Sequence, residues 1–176
     1  MAMDVMLRPI RESDLPRWVE WLNDPEVTTY THLDGGVTLE HEQQWFATAT
    51  APDYPDRLWQ MEVEGRHIGG ASLRLEPARQ SAEFGIIIGD KTAWGQGYGT
   101  ATLREALRIG FAELALHRIH LRVFAGNARG LRCYEKCGLR REGYHRAAVL
   151  KREQWVDVIT MAILREEWEE MKCSSQ

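Results

Sequence analysis

The stretch WGQGYGTA, residues 94–101, carries glycine at three alternate positions, Gly95, Gly97 and Gly99. It follows an apolar run, FGIIIG, that reads as a buried strand, and it leads into a segment of helical periodicity. A glycine-rich turn entering a helix offers unpaired backbone N–H groups at the positive end of the helix dipole, a combination that binds phosphate. The same glycines equally suit a tight turn that needs positive φ and no ligand, so the residues alone leave both readings open. The spacing is not G-x-G-x-x-G and the chain has no G-x-x-x-x-G-K-[ST], which disfavours nicotinamide cofactors and P-loop nucleotides. Cys133 and Cys137 stand four apart, but no His or Asp pattern beside them marks an activated thiol, so packing is expected rather than nucleophilic catalysis. His117 and His120 fall in an alternating segment without a four-ligand spacing, and no metal is expected.

The elements that must position these groups are read from periodicity. RESDLPRWVEWLND predicts a helix, with Ser13 or Asp14 as cap and Leu15, Trp18, Val19 and Leu22 on one face. TLEHEQQWFATATA predicts a second, capped by Thr38, with Leu39, Trp45 and Phe46 among its apolar residues; TTYTHLDGG between them reads as a loop. Leu58 to Val63 and His67 to Leu75 predict a hairpin, and AEFGIIIG a third strand. After the glycines, Leu103, Leu107, Phe111 and Leu114 recur at helical spacing. RIHLRVF alternates as a strand, NARGLRCYEKCG reads as a short helix stopped at Gly138, and QWVDVITMAIL is a closing strand before an acidic tail. This order predicts one mixed α/β domain spanning residues 1–176, without repeats or linkers.

Composition narrows the function. The 176 residues are 44% hydrophobic and 27% charged with a formal net charge of −4, which argues against nucleic acid as a partner because phosphate-backbone binding needs clustered Lys and Arg in excess. No run is long and apolar enough for a signal segment or a membrane span, so a cytoplasmic protein without membrane contact is expected, its three cysteines free thiols.

QGYGTA resembles the Q/R-x-x-G-x-G/A signature of the GNAT superfamily of acyl-coenzyme A N-acetyltransferases, with Gln96, Gly99 and Ala101 on its fixed positions. AEFGIIIG resembles that family's preceding strand, NARGLRCYEKCGLRREG its later Asn-to-Tyr helix and following strand, and LRPIRESDLPRWVEWLNDPEV the opening of the ribosomal-protein and polyamine acetyltransferase-like branch. The resemblance implies a single domain with a central, mostly antiparallel mixed sheet flanked by helices, and acetyl-CoA as cosubstrate. It implies that amides of Gly97, Gly99 and Thr100, beside Gln96, hold the coenzyme A pyrophosphate. Asn127 would hydrogen-bond the pantetheine arm, or cap its helix, or both. Ile86 and Ile88 would offer backbone amides to the thioester and pantetheine, the former in an oxyanion-type role. Glu83 would act as general base through water, where the residues alone give only an outward-facing strand carboxylate. Tyr134 would protonate the departing thiolate.

Trp94, beside the glycine turn, is a candidate for shaping the coenzyme site, and Lys91, Arg129 and Arg132 either approach its phosphates or are ordinary exposed basic residues near a helix end. By the same resemblance the acceptor is expected between the Thr28–Gly36 loop and YHRAAVLKREQWVD, where Asp34, Glu153 and Asp157 are either groups for an ammonium or solvated loop and strand-end charges. Direct attack on acetyl-CoA by a primary amine in a ternary complex is the expected reaction. A protein N-terminus as acceptor, a non-catalytic acyl-CoA-binding module, and a homodimer remain open.

Overall fold

The structure is a computed structural model that describes residues 5–173. The first four residues of the segment read above for an export signal, and the last three of the acidic tail, lie outside the described residues. Seven strands form one sheet in the order β1-β2-β3-β4-β5-β7-β6. They are β1 (Met6–Arg8), β2 (Arg57–Val63), β3 (Arg66–Glu76), β4 (Ser81–Ile88), β5 (Arg118–Phe124), β6 (Arg140–Lys151) and β7 (Gln154–Leu164). Helices α1 (Leu15–Asn23) and α2 (Leu39–Ala49) precede β2; α3 (Tyr98–Arg108) crosses from β4 to β5, α4 (Ala128–Lys136) from β5 to β6, and α5 (Arg165–Cys173) ends the described chain.

Every pairing among the described strands is antiparallel except β4 with β5. A parallel pair requires a crossover, and α3 supplies it. One sheet face is built from Ala71, Leu73, Ala82, Phe84, Ile119, Leu121, Ile159 and Met161 and is covered by Leu103, Ala106, Leu107 and Phe111 of α3 and its continuation. That continuation is a π-turn over Ile109–Glu113. On the opposite face Trp18, Trp21 and Leu22 of α1 pack with Val27 and Ile87. The alternation of strand residues decides which side each contact faces, so Ile87 and Glu83 share the α1 side while Phe84 and Ile86 share the α3 side.

The structure departs from the sequence reading at particular points. Asp14 does not cap α1; its carboxylate accepts two 2.8 Å bonds from the Arg8 guanidinium. Thr38 does cap α2, accepting from the His41 amide at 3.2 Å. Leu39 and Trp45 of α2 are exposed rather than core. The start of TTYTHLDGG, read as loop, belongs to a turn of 3-10 helix over Val27–Tyr30, and the acidic tail is helical in α5. The YHRAAVLKREQWVD segment is a hairpin: its first half extends β6 to Lys151, and a turn returns it as β7.

Candidate active site

The site begins where the sheet opens. The β4–β5 ladder runs through Ser81–Arg118, Ala82–Ile119 and Glu83–His120 and stops there. Beyond it Phe84–Ile88 stay paired to β3, while Leu121–Phe124 stay paired to β7. The two strands therefore diverge into a wedge. Gln80 C=O accepts from Arg118 N–H at 3.4 Å across this edge. With a period of two, the backbone groups of Ala82, Phe84, Ile86 and Ile88 are directed along the same edge. Ile86 and Ile88 thus present their amides to the wedge; the Ile88 carbonyl accepts from the Trp94 indole at 2.7 Å.

At the mouth of the wedge the chain leaves β4 through Gly89 and Asp90, whose amides both donate to Ile68 C=O. Asp90 then accepts from the Thr92 amide and hydroxyl at 3.0 and 2.6 Å. Gly95 and Gly97 have φ of 76° and 84°, values that L residues other than glycine adopt only with strain. Gly99 does not share this conformation. It is the second residue of α3, and an added Cβ would meet Cys133 Sγ at 3.5 Å and Ile88 Cδ1 at 3.7 Å, ordinary contact distances. Ala101 N–H donates to Gly97 C=O at 3.1 Å, the bond that closes the first turn of α3. Ahead of it, the amides of Tyr98, Gly99 and Thr100 lack intrahelical acceptors and sit at the positive end of the helix. Tyr98 joins this group unannounced by the sequence, because spacing does not reveal which residue starts the helix. Gln96 donates through Nε2 to Thr92 C=O at 2.5 Å, which braces the turn.

The α4 side closes the same mouth. Asn127 Oδ1 accepts from the Gly130 amide at 2.9 Å and caps α4. The Arg129 guanidinium lies 4.1 Å from the centre of the Trp94 ring, tying the start of α4 to the glycine turn. Tyr134 packs its ring against the α3-side core. Burial, reinforced by neighbouring Cys133, pushes its phenol well above the usual tyrosine range. Its hydroxyl takes part in none of the hydrogen bonds found among the described residues, and it remains a proton donor through neutral pH. The cysteines behave as packing groups: Thr100 Oγ1 donates to Cys133 Sγ at 3.4 Å, and burial raises the Cys133 thiol and pushes Cys137 up to about 12.

Glu83 lies on the other side of β4, its side chain 18% exposed. It pairs directly with Arg74, its cross-strand neighbour, and lies 3.4 Å from Arg122 Nε. Neither arginine was marked by the sequence reading, although Arg118, His120 and Arg122 alternate on RIHLRVF and so share a polar face. Nearby, the His32 ring meets Phe124 edge-on at 5.3 Å. Burial, then the Arg122 charge, lowers the His32 pKa, which keeps its imidazole neutral near pH 7. Tyr134 and Glu83 therefore approach the wedge from opposite sides of the sheet.

Two of the three candidate acceptor groups, Asp34 and Asp157, are otherwise engaged. Asp34 pairs with Lys151 at 2.6 Å and lies 4.0 Å from Arg152 Nε. Asp157 accepts from the Tyr144 hydroxyl and, at 2.7 Å, from the Ala147 amide. Glu153 is exposed in the β6–β7 turn at a φ of 63°. Lys91 turns away from the glycine loop to Asp24 at 2.8 Å and Glu26 at 3.0 Å. Arg132 is exposed on α4. Among the described residues no cluster of His, Cys, Asp or Glu has metal-site geometry, and no helix is long and apolar enough to cross a membrane.

A sheet that splits between its fourth and fifth strands, with a glycine turn at the split, has close relatives. The chain is 34% identical over 170 residues to a spermidine N(1)-acetyltransferase from Vibrio cholerae, covering 96% of this chain and 97% of that one. It is 28% identical over 131 residues to an L-amino acid N-acetyltransferase from Escherichia coli, covering 65% and 80%. The fold superposes with a TM-score of 0.87 on spermidine N-acetyltransferase from Vibrio cholerae in complex with CoA and spermine, at 24% identity over 94% of this chain and 98% of that one. The family model for the acetyltransferase (GNAT) domain matches residues 4–140, from the start of the sheet to the end of the α4 crossover. This chain belongs to the acetyltransferase (GNAT) family and is an acetyl-CoA-dependent N-acetyltransferase.

Proposed function

We propose that the chain transfers acetyl from acetyl-CoA directly to a primary amine within a ternary complex. The observation that carries this reading is the β4–β5 wedge, with a helix N-terminus at its mouth and a proton donor and a carboxylate on opposite sides. The amides of Gly97, Tyr98, Gly99 and Thr100 hold the pyrophosphate, and Gln96 keeps the turn in shape. The pantetheine arm lies along the free edge of β4, where Ile88 and Asn127 Nδ2 donate to its amide oxygens and Ile86 N–H polarises the thioester carbonyl. The amine enters from the Glu83 side. Its nitrogen lone pair forms the new C–N bond at the carbonyl carbon, and its proton passes through water to Glu83. The C–S bond then breaks as Tyr134 gives its proton to the sulfur, and the phenolate is reprotonated from solvent. Arg74 and Arg122 position the Glu83 carboxylate. The same reading places the protein in the cytoplasm, as one domain, without a metal.

Incubation with acetyl-CoA and mixed amines, followed by product mass spectrometry and thiol release, tests the proposal. An acetylated amine formed with one equivalent of free CoA is expected. Coenzyme A binding without thiol release on any amine would make the chain a binding module instead.

A further inference from the structure

We infer that the acceptor is a small amine carrying a carboxylate, bound by cations on the Glu83 side of the sheet, and not a polyamine. The inference rests on the acetyltransferase reading and concerns its second substrate. A cavity of about 240 Å³ lies between the loop after α1 and the β6–β7 turn. Thr29, Tyr30, Phe124, Lys151, Arg152 and Gln154 are among its lining residues, and no carboxylate is. It adjoins the wedge: Phe124 ends β5 two residues beyond Arg122, and its ring carries His32, which senses the charges of Arg122, Glu83 and Lys151.

The charges around this cavity are unequal. Glu83 stands between Arg74 and Arg122, and Asp34 between Lys151 and Arg152. Each carboxylate already has two cationic neighbours, which leaves it little capacity for a further ammonium and leaves the cations with donors to spare. Glu142 pairs with Arg118, and Glu76 with Arg79 and His120, while Glu153, between Arg152 and Gln154 in the β6–β7 turn, is exposed to solvent and is not among the lining residues, so four cations face three carboxylates here. Lys151 is only 6% exposed and also donates to Leu33 C=O, so its charge is fixed at the wall of the cavity. Arg152 donates to Pro25 C=O at 2.9 Å and to Thr28 Oγ1 at 3.1 Å, which aligns its guanidinium there too. A polycation entering this region meets like charge, whereas a carboxylate gains charge-assisted hydrogen bonds. The cavity is also smaller than the roughly 300–1,000 Å³ typical of drug-sized ligands, which suits a compact acceptor.

Matched acceptors decide the point: leucine against leucinamide, glutamate against its diamide, and spermidine, each measured as kcat/KM. The amides are weaker bases and offer more neutral amine, so a preference for the acids requires recognition of the carboxylate. The acids are expected to exceed their amides and spermidine by at least about tenfold. Arg152→Gln should raise KM for the acids about tenfold with coenzyme A affinity unchanged, and Arg152→Glu should move selectivity toward spermidine. Lys151→Met should act as Arg152→Gln does, and the Arg152 variants carry the test if Lys151→Met does not fold. Spermidine or the amides turned over better than every acid would overturn the inference and leave the acetyltransferase reading intact. Coenzyme A binding with turnover of no amine would overturn both.

Discussion

At the scale of single residues, the acid and the base proposed for the wedge differ in burial and in partners. Tyr134 is held protonated by burial, well above the usual tyrosine range. Tyr134→Phe removes one hydroxyl and little volume, so coenzyme A affinity should persist while kcat falls by about 10²–10⁴ with chemistry rate-limiting. Because the phenol stays protonated, the wild-type profile should show no decline from tyrosine ionisation as pH rises to about 10; wild-type kcat in the phenylalanine variant would remove Tyr134 from the reaction. Glu83 is tested differently. Presenting a neutral amine of pKa near 10.4 at pH 7 costs about 4.6 kcal/mol, against about 1 kcal/mol for an α-amino group of pKa near 7.7–8.0. Glu83→Gln should therefore depress kcat/KM most on strongly basic acceptors, with activity recovering as pH rises from 6 to 9.5. An unaltered pH profile on the best acceptor would return Glu83 to the role of ion-pair partner for Arg74. Both residues were singled out in the sequence by the family resemblance, and strand parity alone marked Glu83 only as an outward-facing carboxylate. The arginines around Glu83 were not, since Arg74 meets it only through the β3–β4 register and Arg122 only through the parallel pairing.

At the scale of elements, the glycine turn shows how far spacing reaches. Alternate glycines before a helical pattern mark a turn into a helix, but the left-handed positions depend on where the first i to i−4 bond closes. That bond ends on Gly97, so the φ of 84° falls there and Gly99 is already helical. Gly97→Ala should cost about 1–2 kcal/mol of stability and lower coenzyme A affinity, because relieving the strain re-aims the amides that follow. Gly99→Ala should be at least as stable as wild type, since its Cβ finds ordinary contacts and alanine favours the helix. Thermal shifts with coenzyme A would separate the two; equal losses of affinity would mean that the space beside Gly99, not the backbone of Gly97, limits binding. The same limit explains why periodicity does not mark β6, whose start the resemblance alone names. In β6 Gly143, the positive φ of Ala147 and the register shifts between Arg141 and Gly143 and between His145 and Val149 break the alternation that identifies a strand. Its full length to Lys151 follows from its pairing with β7.

At the scale of the whole molecule, pH acts on the fold through groups separate from the wedge. Arg8 of β1 forks onto Asp14 with two 2.8 Å bonds and reaches Glu62 of β2 through Nε at 2.6 Å. His67 of β3 lies 3.5 Å from Asp14 and contacts Gln60 Oε1 at 2.7 Å, which also accepts from the Trp18 indole at 2.7 Å. This network joins the first three strands to α1. Burial works to raise the Asp14 pKa, but hydrogen bonds from Arg8 and the Arg11 amide outweigh it, and the pKa is lowered from 3.8. Burial lowers His67 from 6.5, with the attraction of Asp14 opposing and the Arg8 charge assisting. Both shifts act in the same direction. Above 6.5 His67 is neutral in folded and unfolded chains alike; below it the unfolded chain binds the proton first, and stability declines toward the folded pKa. The Asp14 contribution is complete above 3.8 and is lost as pH falls through its folded value. Urea unfolding should thus show stability level above neutrality, declining from pH 6.5 and falling faster below 3.8. His67→Gln should reduce the first decline, and the remainder belongs to His32, whose pKa burial also lowers. Asp14→Asn should cost about 3 kcal/mol at neutral pH, since it strands a buried guanidinium with only Glu62 beside it. Coenzyme A at a hundredfold excess over Kd should add about 2.7 kcal/mol to the wild type and to both variants alike, because the network and the wedge share no residue. Unfolding free energies at pH 8, 6, 5, 4 and 3, with and without coenzyme A, check all of these; a His67→Gln protein with the wild-type slope between pH 8 and 5 would remove His67 as an origin of that decline.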